Sequence, residues 1–396
     1  MSRRRLSKIS SKAVWSSFQS ALHPKGEQRG ELASSTRQRR PVLVGSDCSG
    51  LSTELLALEY AGIPFKSAFA SECAVGVRVI HDFLHGPHDR FFHDAGDSHT
   101  KREHVDLYVA GPPCQPFSTQ GVGLGFADPR GATMRHVLRY IGRGRPKVVV
   151  IENVKGLVDR HTECLDYVLQ ALTREGNSVT WNVMRTDEHG VPHSRARLYV
   201  VAMLEVVHRF EWPQILKVKH KVERFLDSRG QEANKDPLST QTARRSWRNA
   251  TAKLQKRGVD YTKTCCFVDV RAAVSYANIN IEKLPCLTAA RGAQGGFHIS
   301  TKHRMTTIHE LGRLQGWHTL SIDKVLGKGA KVSALGRALG NGMSVNVLYR
   351  LLPRALWSAG LLERKPRDVF KIPPAEARAL HGYFPDALYE FQGSLT

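Results

Sequence analysis

The 396-residue sequence predicts an α/β fold: a doubly wound, mostly parallel sheet with a smaller domain inserted late in the chain. Three observations carry this. From about residue 41 to 204, apolar runs rich in Val, Ile, Leu and Phe alternate with amphipathic stretches of ten or more residues. From about 205 to 280 the alternation breaks into a basic region with few apolar runs, and it resumes after about 281. Several runs end abruptly in Gly, Pro, Asp or Glu, as strands do at the carboxyl edge of a sheet.

The elements follow in order. "PVLVGSD" reads as the first strand and leads into the turn Cys48-Ser49-Gly50. "LSTELLALEYAG" repeats apolar residues at helical spacing until Gly62 stops it. "FKSAFASE" is a second strand closing on Glu72, and "AVGVRVIHDFL" a second helix. Val105 to Val109 read as a buried strand, and Gly111-Pro112-Pro113 ends it with Cys114 on the loop beyond. Next come a helix over "ATMRHVLRYIGRG", the strand "PKVVVIENV", a helix over "TECLDYVLQALTREG", and the strands "SVTWNVMR" and "RLYVVAM". After the break, alternation returns with "KLPCLTAARG", then helices over "TTIHELGRLQGW" and "SVNVLYRLLPRAL".

The formal net charge is +22, and about +8 of it lies in the first forty residues, with about +8 more between Pro213 and Thr264. Charge concentrated in two blocks calls for a polyanionic partner, with nucleic acid ahead of an anionic membrane surface. No apolar run approaches the roughly 20 residues of a membrane span, so no membrane association is expected. The seven cysteines form no CxxC pair and match neither a disulfide framework nor a zinc site. A reduced intracellular chain without a metal is the expectation, and an odd thiol such as Cys114 is available for chemistry.

Several strand ends carry chemistry-bearing residues. A glycine turn at Gly50 followed by Glu72 on the next strand suits a nucleoside, because glycine lets backbone approach and a carboxylate accepts from ribose hydroxyls; a plain helix-start turn has the same look. In "VVVIENVKG", Glu152 and Asn153 follow four apolar residues. Burial there favours the neutral carboxyl, which can donate a proton, whereas a solvated strand end would not. Arg195 and Arg197 in "VPHSRARLYVV" share a strand face. They suit phosphate or carbonyl oxygens, or are two surface arginines.

"GPPCQPFS", "GFADPRG", "ENVKG", "PHSRARLY" and "LGNGMSVNVL", in this order from about Val42 to Leu352, resemble the cytosine-5 DNA methyltransferases. The resemblance implies a Rossmann-like S-adenosylmethionine-dependent methyltransferase sheet. Residues 41–204 and 281–364 would be the catalytic domain, 205–280 a target-recognition domain, 1–40 a basic arm or targeting segment, and 365–396 a tail. It implies that Cys114 is the nucleophile at C6 of a flipped cytosine and that Glu152 hydrogen-bonds N3 and the exocyclic amine. Arg197 would meet O2, and Arg195 would support a phosphate or Glu152. S-adenosylmethionine is the implied cofactor, held by Cys48, Gly50, Leu51, Glu72, Cys73, Asp94, Ala95, Pro113, Asn341, Gly342 and Met343. Substrate contacts are implied at Pro112, Gln115, Ser118 and Asn153, and "RMTTIHELGRLQGW" resembles the ninth motif, with Arg313, Leu314 and Gly316.

Some positions depart from the family pattern. Cys48 replaces an aromatic residue, Ser52 and Thr53 replace glycines, Cys73 replaces an aromatic residue, and His193 replaces a glutamine. The implied partner is double-stranded DNA, bound by a monomer. "CCFVDV" is close to the signature of a tRNA-methylating branch but lacks its threonine, and "PFSTQG" carries the serine common in DNA enzymes. A tRNA enzyme and a catalytically silent binding relative are the alternatives. The Arg- and Ser-rich arm fits a nuclear signal or an organellar transit segment.

Overall fold

The computed structural model describes residues 40–88, 90–97, 103–113, 132–216, 221–228, 236–273, 278–368 and 370. Its main sheet is built from β1 (Val42–Asp47), β2 (Phe65–Ser71), β3 (Phe91–Phe92), β4 (Leu107–Ala110), β5 (Val148–Val154), β6 (Ser178–Arg185) and β7 (Ala196–Met203). The strand order is β3-β2-β1-β4-β5-β7-β6. Pairs among the first five are parallel, while β7 runs antiparallel to both β5 and β6. The reversal follows from chain length: only ten residues separate β6 from β7, too few for the crossover that a parallel pair needs. It has one consequence for the site. The start of β7 lies at the same edge as the carboxyl ends of β1, β2, β4 and β5.

Period-two alternation explains why the sheet is covered on both faces. Val148, Val150, Leu107 and Val109 pack into one core with helices α1 (Thr53–Tyr60), α2 (Val75–His85) and α11 (Val345–Ser358). Val149, Ile151, Tyr108 and Leu198 face the other core, under α3 (Ala132–Gly144) and α5 (Thr162–Arg174). Each such buried aliphatic side chain contributes about 1.5–3 kcal/mol. The strand expected from Val105 begins at Leu107. The Asp106 carboxylate accepts from the Leu43 N–H at 3.0 Å and from Arg40 at 2.7 Å, which closes the strand entrance with a side chain. The short helix α4 (Gly156–Asp159) follows β5 directly.

The region expected to be irregular is not. It contains the 16-residue helix α6 (Gln241–Lys256), started by Thr240, whose hydroxyl accepts from the Ala243 N–H at 3.1 Å. Beyond α6 lies a four-stranded antiparallel sheet of β8 (Cys266–Val268), β9 (Ile279–Ile281), β10 (His298–Ile299) and β11 (Arg304–Met305), in the order β11-β10-β8-β9. Ala243, Ala250 and Trp247 of α6 pack on Val268, Val270, Ile279 and Met305. The small sheet therefore draws strands from both sides of residue 280, where the inserted domain was expected to stop.

α7 (Ala289–Ala293), α8 (Ile308–Arg313), α9 (Thr319–Gly327) and α10 (Val332–Asn341) complete the fold. α7 and α10 cross with backbones almost touching. A Cβ on Gly292 would sit 1.8 Å from the Gly336 carbonyl oxygen, and one on Gly336 would sit 2.1 Å from that of Gly292. Only glycine allows this crossing, and it brings residues 287–288 against 340–342.

Candidate active site at the carboxyl edge

The turn after β1 wraps around the end of β2. Cys48, Gly50 and Ser52 all have positive φ, at 51°, 53° and 46°. Below the turn, buried Asp47 accepts from Ser71 Oγ at 2.5 Å and from Tyr108 Oη at 2.6 Å, which ties β1, β2 and β4 together. Glu72 Oε2 accepts from the Gly50 N–H at 3.1 Å, and its Oε1 accepts from the Ala74 N–H at 2.9 Å. Asp94 Oδ1 accepts from the Gly96 N–H at 2.7 Å. Burial, followed by the charges of Asp47, Glu72 and Asp94, pushes the Cys48 thiol well above its usual range, so Cys48 is a neutral neighbour of these carboxylates. Cys73, at the exposed side, is raised by burial and by Glu72.

Glu152 and Arg197 meet across the β5–β7 pair. Arg197 Nε lies 3.1 Å from Glu152 Oε1, and both side chains are largely buried. The contact is an ion pair without hydrogen-bond alignment, because Oε1 has no hydrogen-bond partner among the described residues. Met343 closes the site from above: its Cε is 3.1 Å from where a Cβ on Gly111 would stand, and Glu152 Oε2 is 3.9 Å from the same point. Glycine at 111 thus leaves room between the β4 end, Glu152 and Met343.

Asn153 and Pro112, both expected at the substrate, contact each other. Asn153 is 1% exposed and donates from Nδ2 to the Pro112 carbonyl at 3.4 Å, while its Oδ1 accepts from the Val154 N–H. The pair joins the ends of β4 and β5 and sets where the chain leaves Pro113. Arg195, expected to support a phosphate or Glu152, contacts backbone. Its side chain is buried, and it donates to the carbonyls of Leu287 (3.0 Å), Gly340 (3.2 Å) and Gly342 (2.8 Å). A guanidinium engaged by three backbone oxygens holds protein loops together. Leu51 has its side chain in the core, and only its backbone is at the turn, where the carbonyl meets His85 Nε2 at 2.9 Å. Cys114, Gln115 and Ser118 lie outside the described residues; Pro113 is the last described residue before them.

Residues 48–356 match the C-5 cytosine-specific DNA methylase family. The chain belongs to that family. Its sequence is 34% identical over 147 residues to the type II methyltransferase M.HgiCII of Herpetosiphon aurantiacus, a match spanning 36% of this chain and 34% of that protein. It is 27% identical over 264 residues to M.HaeII of Haemophilus aegyptius, spanning 66% of this chain and 78% of that one. In fold it is similar to the S. pombe Dnmt2 methyltransferase (TM-score 0.54, 18% identity, 80% of this chain and 99% of that one). It is also similar to a Spodoptera frugiperda DNMT2 mutant (TM-score 0.57, 18% identity, again 80% and 99%).

The methyl donor of C-5 cytosine methylases is S-adenosylmethionine, and the first turn fits such a group. Gly50 has nothing within 4 Å of a would-be Cβ, so its backbone is open to approach. Each Glu72 oxygen retains acceptor capacity beyond its backbone contacts. Asp94 is exposed next to buried Ala95, and the Asn341–Met343 loop adjoins Thr53: a Cβ on Gly342 would lie 3.7 Å from Thr53 Cγ2. The residues present therefore suit a nucleoside with a small polar tail.

Other motif residues have structural work. Arg313 donates to the Phe225 carbonyl at 2.9 Å and to Asp227 Oδ1 at 2.5 Å, so the ninth-motif helix anchors the start of the inserted region. Buried His193 accepts the Leu287 N–H on Nε2 at 3.1 Å. Burial, aided by Arg195 and Arg197, holds its pKa down at about 3, so it is neutral. Sequence reasoning missed Cys286, whose Sγ lies 3.9 and 4.0 Å from the two outer nitrogens of Arg197. No periodicity or motif marks that cysteine. His161, Glu163 and Cys164 place candidate ligand atoms within 4.8 Å of one another, but these atoms already contact each other at the start of α5. Among the described residues no helix is long and apolar enough to cross a membrane.

Proposed function

We propose that this chain methylates C5 of cytosine in double-stranded DNA, with Cys114 as nucleophile. The observation that carries the reading is the Glu152–Arg197 pair at the sheet edge, beside the Pro112-Pro113 segment that leads into Cys114. A carboxylate next to a guanidinium complements the cytosine ring edge, where N4 donates and O2 accepts. Oε1 of Glu152 has no hydrogen-bond partner among the described residues; it would accept from the exocyclic amine, and the carboxyl would bond N3 once a proton lies between them. Arg197 would hold O2 and stabilise charge that develops on the ring.

The Cys114 sulfur adds to C6 and makes C5 electron-rich. Gly50, Glu72, Asp94 and the Asn341–Met343 loop would hold S-adenosylmethionine, which when bound would supply the methyl group. Loss of the C5 proton to a base then expels Cys114 and restores the ring. The target base must leave the duplex to reach this site. The basic face of α6 supports a duplex partner. Arg245, Arg248, Lys253 and Lys256 are exposed, and the helix carries no acidic residue in its first turn.

The test is a covalent trap. Duplex DNA containing 5-fluorocytosine, and separately fluorinated tRNA, are incubated with the protein and S-adenosylmethionine, alongside Cys114→Ala. Fluorine cannot leave as a proton, so the nucleophile stays attached. A denaturation-resistant adduct with DNA, lost in Cys114→Ala, is expected. An adduct with tRNA alone would move the substrate to RNA. Tight binding without an adduct would mean a silent relative.

A further inference from the structure

Residues 192–195 and 284–287 run side by side at the catalytic edge. The Leu284 N–H donates to the Pro192 carbonyl at 2.9 Å, the Ser194 N–H to the Leu284 carbonyl at 2.7 Å, and the Leu287 N–H to His193 at 3.1 Å. This zipper delivers Cys286 to the arginine pair. Arg197 is then held on three sides: Nε against Glu152 at 3.1 Å, Nη1 on the Ala196 carbonyl at 2.8 Å, and both outer nitrogens facing the Cys286 sulfur. Arg195 is 2% exposed, and its Nε has no hydrogen-bond partner among the described residues.

We propose that the Cys286 sulfur is the third arm of the clamp that aims Arg197 at the target base, and that Cys286 is a second reactive thiol of this site beside Cys114. The aim of Arg197 rests on the function proposed above; the reactivity does not. Burial alone would raise the thiol pKa, but the Arg195 and Arg197 guanidiniums together outweigh burial and hold Cys286 below the ordinary thiol range. Cys48 and Cys73, among carboxylates, are pushed the opposite way. A thiol that ionises more readily than usual is a better partner for the Arg197 guanidinium than one held at or above its ordinary range. Without it, the guanidinium has one fewer restraint on the side away from Glu152.

Two experiments test this. In the Cys114→Ala chain, iodoacetamide labelling of Cys286 and Cys73 is timed at pH 7 by mass spectrometry. The thiolate attacks the methylene carbon, an S–C bond forms, and iodide leaves with the C–I electron pair. Cys73 is the more exposed thiol, so exposure alone would label it first. The clamp reverses the order, with Cys286 faster by on the order of tenfold and slowed in Cys114→Ala/Arg197→Gln. In the chain with Cys114 intact, Cys286→Ala lowers kcat about tenfold or more at saturating DNA, leaves KM for S-adenosylmethionine unchanged, and is partly rescued by Cys286→Ser. Labelling of Cys73 first, or a Cys286 rate indifferent to Arg197→Gln, overturns the proposal. Labelling in the expected order is read without methyl transfer, so it upholds the reactive thiol even where the fluorocytosine trap fails.

Discussion

Glu54 stands in the first turn of α1, directly behind the cofactor turn, at 1% exposure with neither carboxylate oxygen hydrogen-bonded among the described residues. Burial raises its pKa from 4.5 to about 7; its own backbone N–H and the Ser46 and Ser52 hydroxyls ease the shift without cancelling it. The folded state therefore holds a proton that the unfolded chain releases. The stabilisation is complete below pH 4.5 and is lost as pH rises to about 7, a total of about 3 kcal/mol. Between pH 5.5 and 8 the loss is about 2 kcal/mol, because the unfolded carboxyl is already mostly ionised at the lower limit. Glu54→Gln removes the titration, and Glu54→Leu removes the polar group as well. Urea unfolding across this pH range should show the wild type falling relative to both variants by that amount. Parallel pH profiles for wild type and Glu54→Gln would refute the reasoning, because they would mean that Glu54 ionises as it does in water.

His193 gives the opposite slope: its folded pKa of about 3 lies below the unfolded 6.5, so stability is intact above pH 6.5 and is lost as pH falls toward 3. His193→Gln, which keeps an acceptor for Leu287, should spare about 2 kcal/mol at pH 5 by urea unfolding; an unchanged acid slope would show that another group is responsible. Ser52 sits at φ +46°, a conformation glycine adopts without strain. Ser52→Gly should stabilise the fold by about 1 kcal/mol, and a loss by differential scanning calorimetry would show that the serine has a compensating contact. Arg245→Ala/Arg248→Ala/Lys256→Ala should flatten the dependence of log Kd for duplex DNA on log salt by roughly 0.9 for each phosphate contact removed. Fluorescence anisotropy would read this, and an unchanged slope would place the duplex elsewhere.

The large sheet was legible because most strands are apolar runs closed by a turn residue, and its covering helices α2, α3, α5 and α11 each run eleven residues or more. Glu152 and the β1–β2 turn were legible for the same reason, since strand ends at one edge converge wherever the chain is parallel. The small sheet was not, because two- and three-residue strands such as His298–Ile299 cannot display a period of two. α6 was hidden by its own composition. Its buried stripe is Ala243, Ser246, Ala250 and Leu254, with small residues where apolar bulk would have revealed a helix. The usable signal was Thr240 followed by sixteen residues without glycine or proline. The partners of Arg195 were not legible, because an RxR pair on a strand looks the same whether it meets solvent, phosphate or three carbonyls. Only the approach of Leu287, Gly340 and Gly342, set by the glycine crossing of α7 and α10, separates these cases.

That crossing also explains how one site can draw on segments nearly three hundred residues apart. Gly292 and Gly336 let the helices touch, which brings the Leu287 and Gly340 carbonyls within reach of one buried guanidinium. Arg195 in turn holds Gly342, and the next residue, Met343, covers Gly111 next to Glu152. Its neighbour two positions on, Arg197, pairs with Glu152 itself. The two arginines thus divide the work by side-chain surroundings: Arg195 binds the protein together, and Arg197 is left at the edge with a carboxylate and a sulfur. Replacing Arg195 with methionine would take a donor from three backbone carbonyls, two of them buried, so it should reduce fold stability and cofactor binding together. Replacing Arg197 should reduce methyl transfer while the fold persists.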